Sequence, residues 1–222
     1  MHPPKPSRRL ALPRHPDPEP ATLNAELLAM LRRRATPALA RWLIGKTLAR
    51  RLPDGAVSRH IIIETEAYHG EADLACHASK GRTPRTEVMY RAGGVWYVYL
   101  CYGMHEMLNL VTGPDNFPAA ILIRALRDIT SPALRGITVP APRDITGPGR
   151  LTKALAITRV LNGADACGPG PAAQLWVEET PAAALRRANV FKSKIRATPR
   201  IGVAYAGPVW SQKPWRFVIE DI

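Results

Sequence analysis

Ile61-Ile62-Ile63-Glu64-Thr65-Glu66-Ala67-Tyr68-His69 decides what kind of fold this chain can form. A run of β-branched residues is a strand signal. Residues two apart on a strand share a face, so Glu66 and Tyr68 point the same way, and Glu64 with them. Carboxylates on a strand that is otherwise apolar are costly to bury unless they are paired or belong to a site. Further on, Val95-Trp96-Tyr97-Val98-Tyr99-Leu100-Cys101-Tyr102-Gly103 predicts a second strand with Tyr97 and Tyr99 on one face. A carboxylate among aromatic rings, in a basic protein, points to a pocket that holds a flat base and acts on it.

Outward from these strands, period-two patterning predicts strands at 46–52 and 59–68, joined by the turn Pro53-Asp54-Gly55. It also predicts strands at 95–101, 105–112, 119–126, 174–178, 199–206 and 215–220. Helical spacing predicts a helix from a cap at Thr22 or Asn24 to about Arg34, carrying Leu27, Leu28 and Leu31. A second starts at Thr36-Pro37 and stops at Gly45, and a third runs over 150–159 after Gly147-Pro148-Gly149. Residues 127–149 read as a long loop rich in Pro, Gly, Thr and Arg, and 181–197 fit neither pattern. Antiparallel strands with flanking helices make an α+β fold of one mixed domain over 22–222. The dense prolines of residues 1–21 predict an extended N-terminal tail.

With 222 residues and 46% hydrophobic side chains the chain can bury a real core. No apolar run approaches a membrane span, and no apolar segment follows the early basic residues as in a secretory signal. Three cysteines without a C-x-x-C pair argue against a disulfide framework or zinc ribbon and fit a reducing cytosol. The net charge of +13 favours a polyanionic partner, and with the aromatics it points to nucleic acid rather than a membrane.

For Glu64 the favoured role is an ion pair with Arg85, Arg124 or Arg150; for Glu66, next to a glycine-containing turn, it is chemistry. Trp96 and Tyr97 read as core. Tyr102 sits at a hairpin tip with nothing to pack on, which suits a wedge between stacked bases, assisted by Met104. Tyr68, Tyr99 and His77 then wall a base-sized slot. The basic loop Lys80-Gly81-Arg82-Thr83-Pro84-Arg85 either touches phosphates or is simply solvated. A competing use of His69, Glu71, Asp73, Cys76 and His77 is metal binding in a nuclease or deaminase, although the spacing matches no familiar ligand motif.

At these residues the sequence resembles the alkyladenine (3-methyladenine) DNA glycosylase family across 36–220. The shared motifs are L-A-R-W-L-I-G-K at 39–46, E-T-E-A-Y at 64–68, His77, R-T-P-R at 82–85, Y-V-Y-L-C-Y-G-M at 97–104, Asn109, L-I-R-A-L at 122–126, G-P-G-R-L-T-K-A-L-A-I at 147–157 and R-I-G-V-A-Y-A-G at 200–207. The resemblance implies a curved antiparallel sheet with a protruding hairpin, and an enzyme that needs neither cofactor nor metal. It implies Glu66 as general base, with Arg124 and the Ile201 carbonyl holding the attacking water. It places Tyr68, His77 and Tyr99 around the extruded base, Asn109 as a bar to guanine's amino group, and Tyr102 in the gap left in the duplex. The expected partner is double-stranded DNA carrying damaged purines such as 3-methyladenine, 7-methylguanine, hypoxanthine or ethenoadenine. The expected protein is a monomer, cytoplasmic and nucleoid-associated in a bacterium or nuclear in a eukaryote. No Lys falls in the mapped motif positions, which implies a monofunctional glycosylase. A non-catalytic damaged-DNA-binding protein of the same fold is the alternative.

Overall fold

The computed structural model describes residues 25–33, 35–129, 143–168, 173–191 and 193–220. The proline-rich tail, the cap at Thr22 or Asn24 and most of the loop at 127–146 lie outside the described residues. Among the described residues, nine strands form one antiparallel sheet: β1 (Thr47–Arg51), β2 (Val57–His69), β3 (Trp96–Cys101), β4 (His105–Val111), β5 (Ala119–Asp128), β6 (Asp144–Thr146), β7 (Leu175–Glu178), β8 (Lys194–Thr198) and β9 (Arg216–Glu220). The main order is β3-β4-β5-β2-β1-β7, with β6 on β5 and β9 joining β8 to β2. The long strand β2 is the hub, pairing with β1, β5 and β9. Among the described residues no helix is long and apolar enough to cross a membrane.

The sheet has two unlike faces. Trp96, Val98, Leu108, Leu110, Ile121, Ile123 and Ala67 pack into the main core with Leu39 and Leu43 of α2 (Thr36–Leu43) and Leu31 of α1 (Ala25–Arg33). Leu151 of α3 (Pro148–Ala154) joins the same core. The alternate residues Tyr97, Val111 and Ala120 face the other way, under the segment that carries Cys76, Ala78, Met89 and Tyr90. Each fully buried Leu or Ile contributes about 1.5–3 kcal/mol, so this two-sided packing strongly selects the register.

One irregularity sets the positions of the carboxylates. Ile62 pairs with Leu126, Glu64 with Ala125 and Thr65 with Ile123, so Ile63 on β2 and Arg124 on β5 are passed over. Parity therefore changes at this double bulge. Ile62 and Ala67 lie in the same core cluster although they are five residues apart. Beyond the bulge Thr65 turns to the helices, its hydroxyl donating to the Ala40 carbonyl at 2.8 Å. Glu64, Glu66 and Tyr68 take the opposite face, as period two predicts.

Several expectations need correction. The strand expected at 199–206 is a loop ending in a 3-10 turn at Ala204–Ala206; the strand lies earlier, at Lys194–Thr198. Pro199 has no N–H for a ladder and Gly202 has φ of +76°, which end the strand. The helix expected over 150–159 begins at Pro148 and ends at Ala154, because Ala156 adopts φ of +48°. Leu155 and Ile157 are buried all the same, which is why their spacing looked helical. The region read as a continuous loop from 127 to 149 contains β6, held to β5 by the Arg127–Asp144 ion pair at 2.7 Å. The ambiguous 181–197 segment holds the short helix α4 (Ala182–Arg187) and then β8.

Candidate active site

Glu66 is at 0% exposure, yet it lies at the centre of a polar cluster. Its Oε1 accepts the Ile201 amide N–H at 2.8 Å. Its Oε2 accepts the Tyr68 hydroxyl at 2.8 Å and lies 3.3 Å from Nη1 of Arg124. Three of the roughly four acceptor positions of the carboxylate are thus in use. Arg124 also donates from Nε to Glu64 at 2.8 Å, so one guanidinium spans both acids. Its displacement from the β5 ladder at the bulge is what lets it do so. Glu64 takes a second cation, Arg216, at 2.6 Å. The ion-pair role expected for Glu64 is met by Arg124 and Arg216, not by Arg85 or Arg150. Burial alone would lower the Arg124 pKa, but the charges of Glu66 and Glu64 more than offset it and raise it.

A cavity of about 230 Å³ opens above this cluster. Pockets for drug-sized ligands occupy about 300–1,000 Å³, so this one suits a single flat heterocycle. Tyr68, His77, Tyr99, Asn109, Arg124, Ile201 and Tyr102 all line it, whereas Glu66 sits just behind the Tyr68–Arg124–Ile201 wall. The His77 ring meets Tyr99 edge-on with centroids 4.5 Å apart and pairs through Nδ1 with the Tyr97 hydroxyl at 3.2 Å. Tyr97, read from sequence as core, is buried but also lines the cavity, because its hydroxyl reaches past the sheet to His77. Asn109 donates from Nδ2 to the carbonyls of Tyr97 and Met107 at 3.1 and 3.3 Å, which fixes its amide plane at the wall.

The aromatic walls are uncharged near neutral pH. Burial, and then the charges of Arg85 and Lys80, lower the His77 imidazole to about 4, leaving it neutral. Burial, and then the charge of Glu66, push the Tyr68 hydroxyl well above its usual range, so it donates rather than ionises. Arg85 stands over the Tyr99 ring at 5.1 Å and donates to the Leu100 carbonyl.

At the mouth, β3 and β4 meet in a turn closed by the Met104 N–H donating to the Cys101 carbonyl at 3.1 Å. Tyr102 and Gly103 both have positive φ, 49° and 71°. That is the turn geometry for which Asn-Gly is the usual occupant, and a tyrosine there is strained. Tyr102 is 91% exposed and Met104 is exposed beside it. The hairpin base is buttressed by α3: the Thr152 hydroxyl donates to the Glu106 carbonyl at 2.8 Å, and a Cβ on Gly149 would meet the His105 ring at 2.9 Å.

The polar groups of 69–77 are engaged elsewhere. The Thr36 hydroxyl lies 2.9 Å from Nδ1 of His69, the Tyr90 hydroxyl donates to Glu71, and Asp73 is bound on both oxygens by Arg200. Burial pushes the Cys76 thiol up to about 12, and no three His, Cys, Asp or Glu among the described residues form a group that could hold a metal ion. All three cysteines are free. Arg200, Tyr205 and Arg216 belong to the site region but were not singled out from the sequence; the first two fall within the R-I-G-V-A-Y-A-G resemblance at 200–207, and Arg216 within the strand expected at 215–220.

The model of the methylpurine-DNA glycosylase family matches residues 30–222. The chain belongs to that family. Its relatives include a protein of Methanocella arvoryzae, 50% identical over 188 residues, which span 83% of this chain and 87% of the relative. A protein of Psychrobacter cryohalolentis is 43% identical over 203 residues, 85% and 89% of the two chains. One of Myxococcus xanthus is 44% identical over 191 residues, 84% and 87%. All three are provisionally named 3-methyladenine DNA glycosylases. Membership in the methylpurine-DNA glycosylase family makes the chain a DNA glycosylase, a hydrolase of N-glycosyl bonds that serves DNA repair.

Proposed function

We propose that the protein turns alkylated or deaminated purines out of duplex DNA and hydrolyses their N-glycosidic bond, leaving an abasic site without cutting the strand. The observation that carries this reading is the Glu66 carboxylate, fixed by the Ile201 N–H, the Tyr68 hydroxyl and Arg124 beneath a cavity of one-base size. A flipped base stacks among Tyr68, Tyr99 and His77, and Tyr102 fills the space it left. Glu66 takes a proton from a water held between it, Arg124 and the Ile201 carbonyl as that water attacks the anomeric carbon. The C–N bond breaks and its electron pair leaves with the base. Charge builds up on the sugar as in an oxocarbenium ion, and the same carboxylate stabilises it.

Cationic 3-methyladenine and 7-methylguanine leave directly; neutral hypoxanthine and ethenoadenine need a proton on the base. Asn109, its amide plane set by two carbonyls, bars the exocyclic amino group of an ordinary guanine. The protein acts as a monomer on damaged DNA, in the cytosol of a prokaryote.

Glu66→Gln is expected to keep duplex binding and lose base release by about 10²–10⁴, the usual range for a general base. Single-turnover excision on duplexes carrying each lesion measures this. Wild-type release by the variant would refute the assignment.

A further inference from the structure

Outside the residues already given roles, one buried group braces two of the three supports of Glu66. Arg200 and Asp73 are both at 0% side-chain exposure. The Arg200 guanidinium grips Asp73 with both ends, Nη1 to Oδ2 at 2.6 Å and Nη2 to Oδ1 at 2.8 Å. Nη1 also donates to the Ala67 carbonyl at 2.8 Å, in the strand residue between Glu66 and Tyr68. Nη2 donates to the Trp210 carbonyl at 3.2 Å. The guanidinium is stacked against two rings, Tyr68 at 4.8 Å and Trp215 at 5.1 Å. Asp73 is itself fixed, accepting the backbone N–H groups of His69 and Ala75.

A buried ion pair of this kind gives little net stability, because desolvation offsets the attraction; its well-attested value is geometric. Arg200 Nε, buried with no hydrogen-bond partner among the described residues, shows that the arrangement is not optimised for hydrogen bonding. What it does optimise is position. One planar cation is tied to the β2 backbone next to Glu66, to the face of the ring that donates to Glu66, and by covalent adjacency to the Ile201 amide that also donates to Glu66.

We propose that Arg200, held by Asp73, is a positioning residue that sets the Tyr68 hydroxyl and the Ile201 N–H on Glu66 and thereby holds the carboxylate in line with the attacking water. It touches neither base nor sugar and acts through Tyr68 and the Ile201 N–H on Glu66. The inference rests on Glu66 as the general base.

The test is a double-mutant cycle with Arg200→Lys and Glu66→Gln, read as single-turnover excision and as binding to the same lesion duplex. Lysine keeps a charge opposite Asp73 but loses the two-ended grip and the flat stacking surface. Displacement of a catalytic group by about 1 Å costs up to roughly a hundredfold, so Arg200→Lys is expected to slow excision ten- to a hundredfold. Binding should change less than threefold. In the Glu66→Gln background Arg200→Lys should add little, because the residue it positions is already gone. Asp73→Asn, which leaves Arg200 in place with a poorer partner, should repeat the pattern and guards against a lysine variant that does not fold. Wild-type excision by both variants, or full additivity with Glu66→Gln, overturns the inference while leaving Glu66 as base. Wild-type excision by Glu66→Gln alone overturns the underlying reading instead.

Discussion

His77 shows how one side chain ties the pocket to stability. Its imidazole titrates at about 4 in the folded protein, against 6.5 when unperturbed. Above pH 6.5 both folded and unfolded chains carry it neutral, and it contributes no pH dependence. As pH falls from 6.5 to about 4, the unfolded chain takes up a proton that the folded chain refuses. Stability is then lost, on the order of 3 kcal/mol by the lower end. His77→Gln should flatten that decline, measured as denaturant midpoints at pH 7 and pH 4.5. Identical declines in variant and wild type would assign the loss to other groups, such as His69, which burial also shifts down. At this scale the sequence was most legible where a residue contradicts its surroundings. Glu66 stands out because it is an acid in an apolar strand, and Tyr102 because it is a ring at a turn. Arg200 does not stand out, since an arginine in a chain of +13 looks like any other. Its burial depends on Asp73, 127 residues away.

Among the elements, the β3–β4 hairpin carries stored strain. Left-handed backbone costs a residue such as tyrosine about 1–2 kcal/mol, and asparagine less. Tyr102→Asn should therefore leave stability equal or raise it by up to about 1 kcal/mol, while its preference for lesion duplex over undamaged duplex falls. A matched pair of chemical denaturation and duplex titration experiments checks both. A variant that is less stable would mean that the tyrosine packs rather than strains. Strand and helix cores were legible because alternation and helical spacing are local signals. Ends were not, where a single backbone angle overrules the pattern. Ala156 halts α3 and Gly202 diverts the chain after Pro199, and neither angle is written in the hydrophobic periodicity. The three-residue strand β6 is too short to show alternation, and it is defined by its partner β5 rather than by itself.

For the molecule as a whole, the proposed reading has charge govern the encounter with DNA and geometry govern base extrusion and bond cleavage. Lys80 and Arg85 lie close enough to act on His77, and Arg150 comes two residues after Pro148 at the cavity rim. If Arg150 neutralises one phosphate, Arg150→Ala should reduce the slope of log affinity against log salt by about one, equally on damaged and undamaged duplex. Excision at saturating protein should be unchanged. A loss confined to damaged DNA would instead place Arg150 at the lesion. The α+β class was legible from the alternation of patterns along the chain. The order of strands was not, because β2 reaches β9 across more than 140 residues and no local signal encodes that pairing.

The double bulge where β2 meets β5 has a practical meaning for protein engineering. It divides each strand into two blocks of opposite parity, and the pocket residues these two strands supply, Tyr68, Ala120, Leu122 and Arg124, all fall within 64–69 and 119–124. A chimera that imports a relative's share of these two strands has natural joints there, provided both strands are cut together. A single-residue deletion in one strand would instead rotate the acid into the apolar core and bring Thr65 or Ala67 out to face the base.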